Sequence, residues 1–270
     1  MSVLIDTKKI KVVSSKSPLG FQTKGGGDWK VWDRYLVLDG KPAFHIGNIC
    51  ETCTFFFERL EGANASVNPE QVVEVLSQGI ASLNDPAIEE VAHIIPKGEY
   101  LVTLLTVKPS LTQPSSELDY FSAEQIALWG ADGFWGIPHH PKTEYYRGST
   151  QPLSNESCLF EFIIPMFPQN WLDSGRIENF KKAIENGIRP TAVAISILDI
   201  KQPADWDNDI QFSSHWCLAH YLIDGHHKMF AASKTDEPIT LLSFLALGEG
   251  VSSNEQNYEI IEKLKAKPSA

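Results

Sequence analysis

Cysteine is scarce, long apolar runs are missing and basic residues are outnumbered in this chain of 270 residues. Four cysteines, Cys50, Cys53, Cys158 and Cys217, are too few for the dense disulfide framework of a small secreted domain. No stretch approaches the roughly 18 consecutive apolar residues that span a bilayer, and the opening MSVLIDTKKIKVV lacks the apolar core of a signal peptide. The expectation is a cytoplasmic protein with no membrane partner. Lysine and arginine total 23 against 34 aspartates and glutamates, a formal charge of −11, so the molecule as a whole repels a phosphate backbone. Nucleic acid is a poor partner on that ground. Internal repeats and low-complexity tracts are also missing, whereas 43% of the residues are hydrophobic, enough at this length to bury a core.

Along the chain, residues 14–28 (SSKSPLGFQTKGGGD) have the composition of a flexible, turn-rich segment, and the stretch that follows predicts a hairpin turning at Asp39-Gly40. PEQVVEVLSQGIAS, residues 69–82, predicts a packing helix with Val72, Val73, Leu76 and Ile80 on one face. EYLVTLLTVK predicts a buried strand, followed by a Pro/Ser-rich loop. Residues 130–157, rich in Gly, Pro, Ser and aromatics, are the natural boundary. Beyond it the pattern predicts strand, helix, strand, strand, helix and strand, and then a short terminal helix.

The segment HYLIDGHHKMFAA, residues 220–232, places Asp224, Gly225, His226, His227 and Lys228 where an apolar strand gives way to an apolar helix. A helix N-terminus carries unpaired N–H groups and a partial positive charge, so such a junction is a natural anion site. Gly225 lets a ligand approach the backbone, and Lys228 adds a full charge. The same residues also fit a plain cap and turn, with the histidines as solvated surface.

Three other constellations carry chemistry. In FHIGNICETCTFFFERL, Cys50 and Cys53 have a spacing that can bite one Zn²⁺ with His45 as a third ligand; packed thiols fit as well, whereas a redox pair lacks the preceding βαβ frame of a thioredoxin-like unit. GIPHHPKTEYYRG gathers His139, His140 and Arg147, which can clamp a phosphate or a substrate carboxylate or simply anchor a surface loop. Asp205, Asp207 and Asp209, and Glu185-Asn186 at a helix end, have cation-binding chemistry but read equally as solvated turns. Cys217, on an apolar strand, reads as a small core residue.

The element order over residues 158–247, with IIPMFPQNWLDSGRIENFKKAIENGIRPTAVAI leading in and YLIDGHHKMFAASKTDEPITLLSFL closing, resembles the ParB/sulfiredoxin-like superfamily. Within it, the DGHHK junction is similar to the DGHHR-type motif of the ParB-like and free-serine-kinase-like branches. The resemblance implies an α/β (α+β) protein: a C-terminal domain with a mixed sheet over 158–247, packed against an unrecognised α+β region over 1–150, with a helix and tail over 248–270. It implies a nucleoside triphosphate or diphosphate with Mg²⁺, held by Gly225, His226, His227 and Lys228. It also implies a carboxylate base, for which Asp224 is the candidate, and phosphoryl transfer to a small hydroxyl-bearing metabolite. Lys228 stands where the family has arginine, so a flexible point charge replaces a planar fork. The sulfiredoxin branch requires a cysteine where this chain has His226, and a DNA clamp requires a helix-turn-helix module for which only about 20 residues remain. The other class of reading is a non-catalytic ParB-like scaffold or interaction protein with a zinc-stabilised N-terminal region.

Overall fold

A strand covered on both faces is apolar at nearly every position, because successive side chains point to opposite sides. Residues 157–165, 191–201, 214–224 and 239–246 are such runs, and each becomes a strand of one central sheet. The structure, a computed structural model, describes residues 2–13, 17–64, 73–131, 141, 143–207 and 209–265. In chain order the elements are β1 (Val3–Val12), β2 (Leu19–Gly26), β3 (Trp29–Leu38), β4 (Lys41–Asn48), β5 (Glu58–Arg59), α1 (Val73–Gln78), α2 (Ala87–Ala92), β6 (Gly98–Val107), β7 (Ser110–Thr112) and α3 (Glu124–Trp129). They continue with β8 (Tyr145–Pro152), β9 (Ser157–Pro165), α4 (Ser174–Glu185), β10 (Thr191–Lys201), β11 (Ser214–Asp224), α5 (His226–Thr235), β12 (Ile239–Ala246) and α6 (Asn254–Leu264).

Eight strands form a mixed sheet in the order β1-β6-β12-β10-β11-β9-β8-β7, and four form an antiparallel sheet in the order β2-β3-β4-β5. Strand β10 runs parallel to β12, and β11 runs parallel to β9, whereas β10 and β11 are antiparallel with Ser196 opposite His220. The protein is therefore of the α+β class with a mixed sheet. Strands β1 and β6 extend the sheet beyond β12, so it takes strands from both sides of the 130–157 segment.

On one face of β10, Val193, Ile195 and Ile197 join Leu36 and Phe44 of the small sheet in an apolar cluster. On the other, Ala192, Ala194 and Leu198 join Ile184 of α4, Met229 of α5 and Ile260 of α6. The layers are thus α4 to α6, the large sheet, and the small sheet with α1 and α2 on its side. Full burial of one Leu- or Phe-sized side chain contributes about 1.5–3 kcal/mol, so these two clusters dominate stability. A polar pin joins the sheets: the Arg34 guanidinium lies 2.6 Å from Asp199 Oδ2 with both side chains buried. It also donates to the Ile46 and Asn48 carbonyls.

The expected elements over 158–247 all form, and the hairpin at Asp39-Gly40 is β3–β4, with positive φ at both turn residues. Leu76 and Ile80 of the expected packing helix are buried, while Val72 lies outside the described residues. Two expectations of irregular structure are corrected. Residues 14–28 contain β2, whose mostly exposed side chains leave no apolar alternation to read and whose order comes from pairing with β3. The 130–157 segment contains β8, in which a Cβ on Gly148 would collide with the Glu161 carboxylate, so this one glycine reflects close packing. The Pro/Ser-rich loop also contributes the short edge strand β7.

Candidate functional site

The junction of β11 and α5 sits beside the start of β10, and local sterics set it there. Gly225 is the N-cap of α5 with φ +93°, a left-handed conformation that favours glycine, and a Cβ would approach the Ala192 Cβ to 2.6 Å. A cleft of about 290 Å³ opens at this point. Its walls include Phe167 from the β9–α4 connection, Arg176 and Phe180 from α4, and Ser77 from α1, together with residues 223–228. The structure therefore brings Asp224, Gly225, His226, His227 and Lys228 to one cleft.

Most of their polar atoms face inward. Lys228 is buried, and its Nζ donates to the Thr191 carbonyl at 2.9 Å and to Asp224 Oδ2 at 3.0 Å. Burial lowers its pKa, and Asp224 opposes that shift. His226 stacks on Phe167 at 4.2 Å, and its Nε2 accepts the Met166 N–H at 3.0 Å. Burial pushes the His226 imidazole down to about 4, so it is neutral at pH 7. His227 Nε2 accepts the Asp173 N–H at 3.0 Å, and burial lowers its pKa as well. The solvated-histidine reading is corrected for His226, which accepts a buried N–H that needs a partner, while the half-buried His227 accepts an exposed N–H of the same β9–α4 connection.

What faces the cleft is different. No side chain caps α5, so its first-turn N–H groups retain the partial positive charge of a free helix N-terminus. Arg176, in the first turn of α4, is exposed, and its guanidinium makes no hydrogen bond or ion pair among the described residues. Asp224 is partly exposed, and among the described residues only its Oδ2 is engaged. A phosphate-sized anion can meet the helix terminus and Arg176 together, with an aromatic ring on either wall. Sequence reasoning missed Arg176 and Phe167; the signal was the Asp173 cap, whose Oδ1 accepts the Arg176 N–H and fixes the turn that carries this arginine.

The remaining candidates lie elsewhere. Arg147, on β8, is buried and bound to Glu124 Oε1 at 2.9 Å and Thr150 Oγ1 at 2.7 Å, and it lines no part of this cleft. His139 and His140 fall outside the described residues. Cys50 and Cys53 are joined in a disulfide, and His45 Nε2 lies 3.1 Å from Asp33 Oδ1, with its ring stacked on Tyr35. In that oxidised form neither sulfur is a thiolate, so zinc coordination requires the reduced pair. Among the described residues no group of three or more His, Cys, Asp or Glu side chains is placed to hold a metal ion. Cys158 and Cys217 are buried free thiols.

A second polar cluster, missed in the sequence, crosses the helix-facing side of the large sheet. His220 Nε2 lies 3.1 Å from Glu161 Oε1, its Nδ1 lies 2.6 Å from Ser196 Oγ, and Ser196 Oγ lies 2.7 Å from Ser243 Oγ. Glu161 Oε2 also accepts the Ser149 N–H at 2.6 Å and the Ser2 hydroxyl. Burial acts to raise the Glu161 pKa, but the hydrogen bond and charge of His220, with the donors from Ser2 and Ser149, hold it below the usual carboxylate value. Ser, His and Glu in this order have the composition of a nucleophilic triad. All are fully buried, however, so the cluster ties four strands together. Its sequence signal is single polar residues inside apolar strands, as in FEF and LSF.

Comparison with protein-family models, with curated proteins and with solved structures finds no match to this chain in any of the three. No helix among the described residues is long and apolar enough to cross a membrane.

Proposed function

We propose that the protein binds the phosphate of a nucleotide, a nucleoside triphosphate or diphosphate with Mg²⁺, in the cleft at the start of α5. The observation that carries this reading is the pairing of an uncapped helix N-terminus with the Arg176 guanidinium, unpartnered among the described residues, on one aromatic-walled cleft. The resemblance of residues 158–247 to the ParB/sulfiredoxin-like superfamily supports it. The roles differ from those of the motif as read in the sequence. Arg176 and the backbone N–H groups contact the anion, His226 and His227 hold the cleft wall, and Lys228 fixes Asp224. One carboxylate together with phosphate oxygens is an ordinary Mg²⁺ ligand set, and Asp224 Oδ1 is the oxygen that fits it. As a phosphotransferase, the protein uses Asp224 to accept the proton of a small hydroxyl-bearing acceptor.

One observation favours the second reading, a non-catalytic scaffold: the polar atoms of His226, His227 and Lys228 are engaged inside the fold. Thermal unfolding with ATP, ADP, CTP and GTP, each with and without Mg²⁺, separates the two. Nucleotide binding predicts a rise in Tm that Arg176→Ala abolishes. No rise with any nucleotide rejects nucleotide binding and leaves the scaffold.

A further inference from the structure

The Cys50–Cys53 disulfide closes a ring of four residues just beyond β4, and neither cysteine is fully buried. A cross-link this short removes little chain entropy, so it is a poor structural staple. The loop is instead held through its carbonyl groups. Cys50 O accepts from Lys201 Nζ at 2.5 Å, Glu51 O from the Gln202 N–H at 3.1 Å, and Thr52 O from Trp129 Nε1 at 3.1 Å. None of the three contacts involves a sulfur atom. The loop therefore has the backbone support to stay folded in both redox states, as reversible exchange requires.

A buried lysine lies beneath the loop; burial lowers its pKa, and Asp199 opposes that shift. Lys201 is almost fully buried and has no carboxylate partner within ion-pair distance among the described residues. Asp199 is already paired with Arg34. The Lys201 ammonium contacts the carbonyl of Cys50 itself, and Thr52 Oγ1 lies 3.5 Å from Cys50 Sγ, where it can donate to the sulfur.

We infer that Cys50 and Cys53 form a thiol–disulfide exchange site, with Cys50 as the attacking sulfur and Cys53 as the resolving one. In the reduced protein, the Cys50 thiolate attacks a disulfide of glutathione or of a partner protein, forming a mixed disulfide and releasing one sulfur as a thiolate that takes up a proton. Cys53, on losing its proton, attacks Cys50 Sγ and releases the second sulfur. The protein dithiol loses two electrons and two protons, and the partner disulfide becomes two thiols. The reverse sequence oxidises a partner dithiol.

The test equilibrates the full chain with graded ratios of reduced to oxidised glutathione in the presence of a chelator, followed by rapid trapping of the folded protein with excess maleimide at pH 7 and mass measurement. The expected result is a reversible two-thiol transition confined to Cys50 and Cys53, with unchanged circular dichroism and with Cys158 and Cys217 unlabelled. Cys53→Ser should accumulate a glutathione mixed disulfide at Cys50. In the reduced protein, Lys201→Met should lower the alkylation rate of Cys50 at pH 7 about tenfold and move its pH profile upward, and Lys201→Arg should restore both. If the Met variant does not fold, the Cys53→Ser result decides alone. A disulfide that opens only as Cys217 becomes labelled, or a Cys53→Ser protein without the mixed disulfide, overturns the assignment.

Discussion

Lys228 Nζ lies 3.0 Å from Asp224 Oδ2, one helical turn back, and 2.9 Å from the Thr191 carbonyl, so the charge of the DGHHK segment joins α5 to the first residue of β10. A lysine held in this way cannot reach an anion without leaving a carbonyl and a carboxylate behind. Arg176 has no such commitment among the described residues, so on the proposed reading the anion-contacting charge lies on α4 rather than α5.

Lys228→Ala should therefore act on stability as well as on binding. It strips a donor from one buried carbonyl and one partly buried carboxylate, a loss of about 1–3 kcal/mol. Urea unfolding should show that decrease, while nucleotide affinity should fall less than in Arg176→Ala, whose exposed side chain leaves folding nearly unchanged. Equal stability of parent and Lys228→Ala would show that the buried pair contributes nothing.

Asp224→Asn separates a base from a structural partner. Asparagine keeps an oxygen for Lys228 and removes a negative charge from the cleft, so nucleotide affinity should hold or improve. Phosphoryl transfer should fall by about 10² or more if the carboxylate takes the acceptor proton. Turnover at the parental rate would reject the catalytic role and leave the binding role standing.

The strands of the second half were legible because β9 to β12 are covered on both faces, so their apolar runs are long and the turns between them polar. The same burial hid the Glu161–His220–Ser196 row, since one polar residue inside such a run gives no sign of its neighbours across the sheet. Strand β8 was illegible for a related reason, Gly148 being small to admit Glu161. At the cleft the residues of the motif were visible, but the direction of their side chains was not. That His226 and His227 turn toward Met166 and Asp173 depends on where the β9–α4 connection returns, a tertiary fact.

His226 makes stability depend on pH in a definite direction. Its pKa falls from 6.5 in the unfolded chain to about 4 in the fold, chiefly by burial, with Asp224 opposing and His227 and Lys228 assisting. A depressed folded pKa leaves the contribution intact above 6.5. Between 6.5 and about 4 the unfolded chain gains a proton that the fold refuses, which costs about 1.4 kcal/mol per pH unit. His215, pushed by burial down to about 3, adds to the same acid limb. In His226→Gln the slope of unfolding free energy against pH over this window should be shallower than in the parent. An unchanged slope would show that His226 titrates alike in both states.

Glu161→Gln tests the buried row itself. The carboxylate is fully buried and accepts from His220, the Ser149 N–H and the Ser2 hydroxyl. Glutamine keeps its shape but turns one accepting oxygen into an NH₂ that must face a donor, so the variant should lose about 2–4 kcal/mol at pH 7. The pH dependence adds a second reading. Because the folded pKa of Glu161 lies below the ordinary 4.5, its stabilisation is complete above that value and is lost as the pH falls through the folded pKa. The gap between parent and variant should therefore be widest near neutrality and narrow in acid, where the parent carboxyl is itself protonated. Urea unfolding at pH 7, at pH 5 and below pH 4 measures it. A gap that stays constant over this range would assign the loss to the misplaced amide donor rather than to charge, and no gap at pH 7 would mean that the Glu161 carboxylate could be replaced without cost.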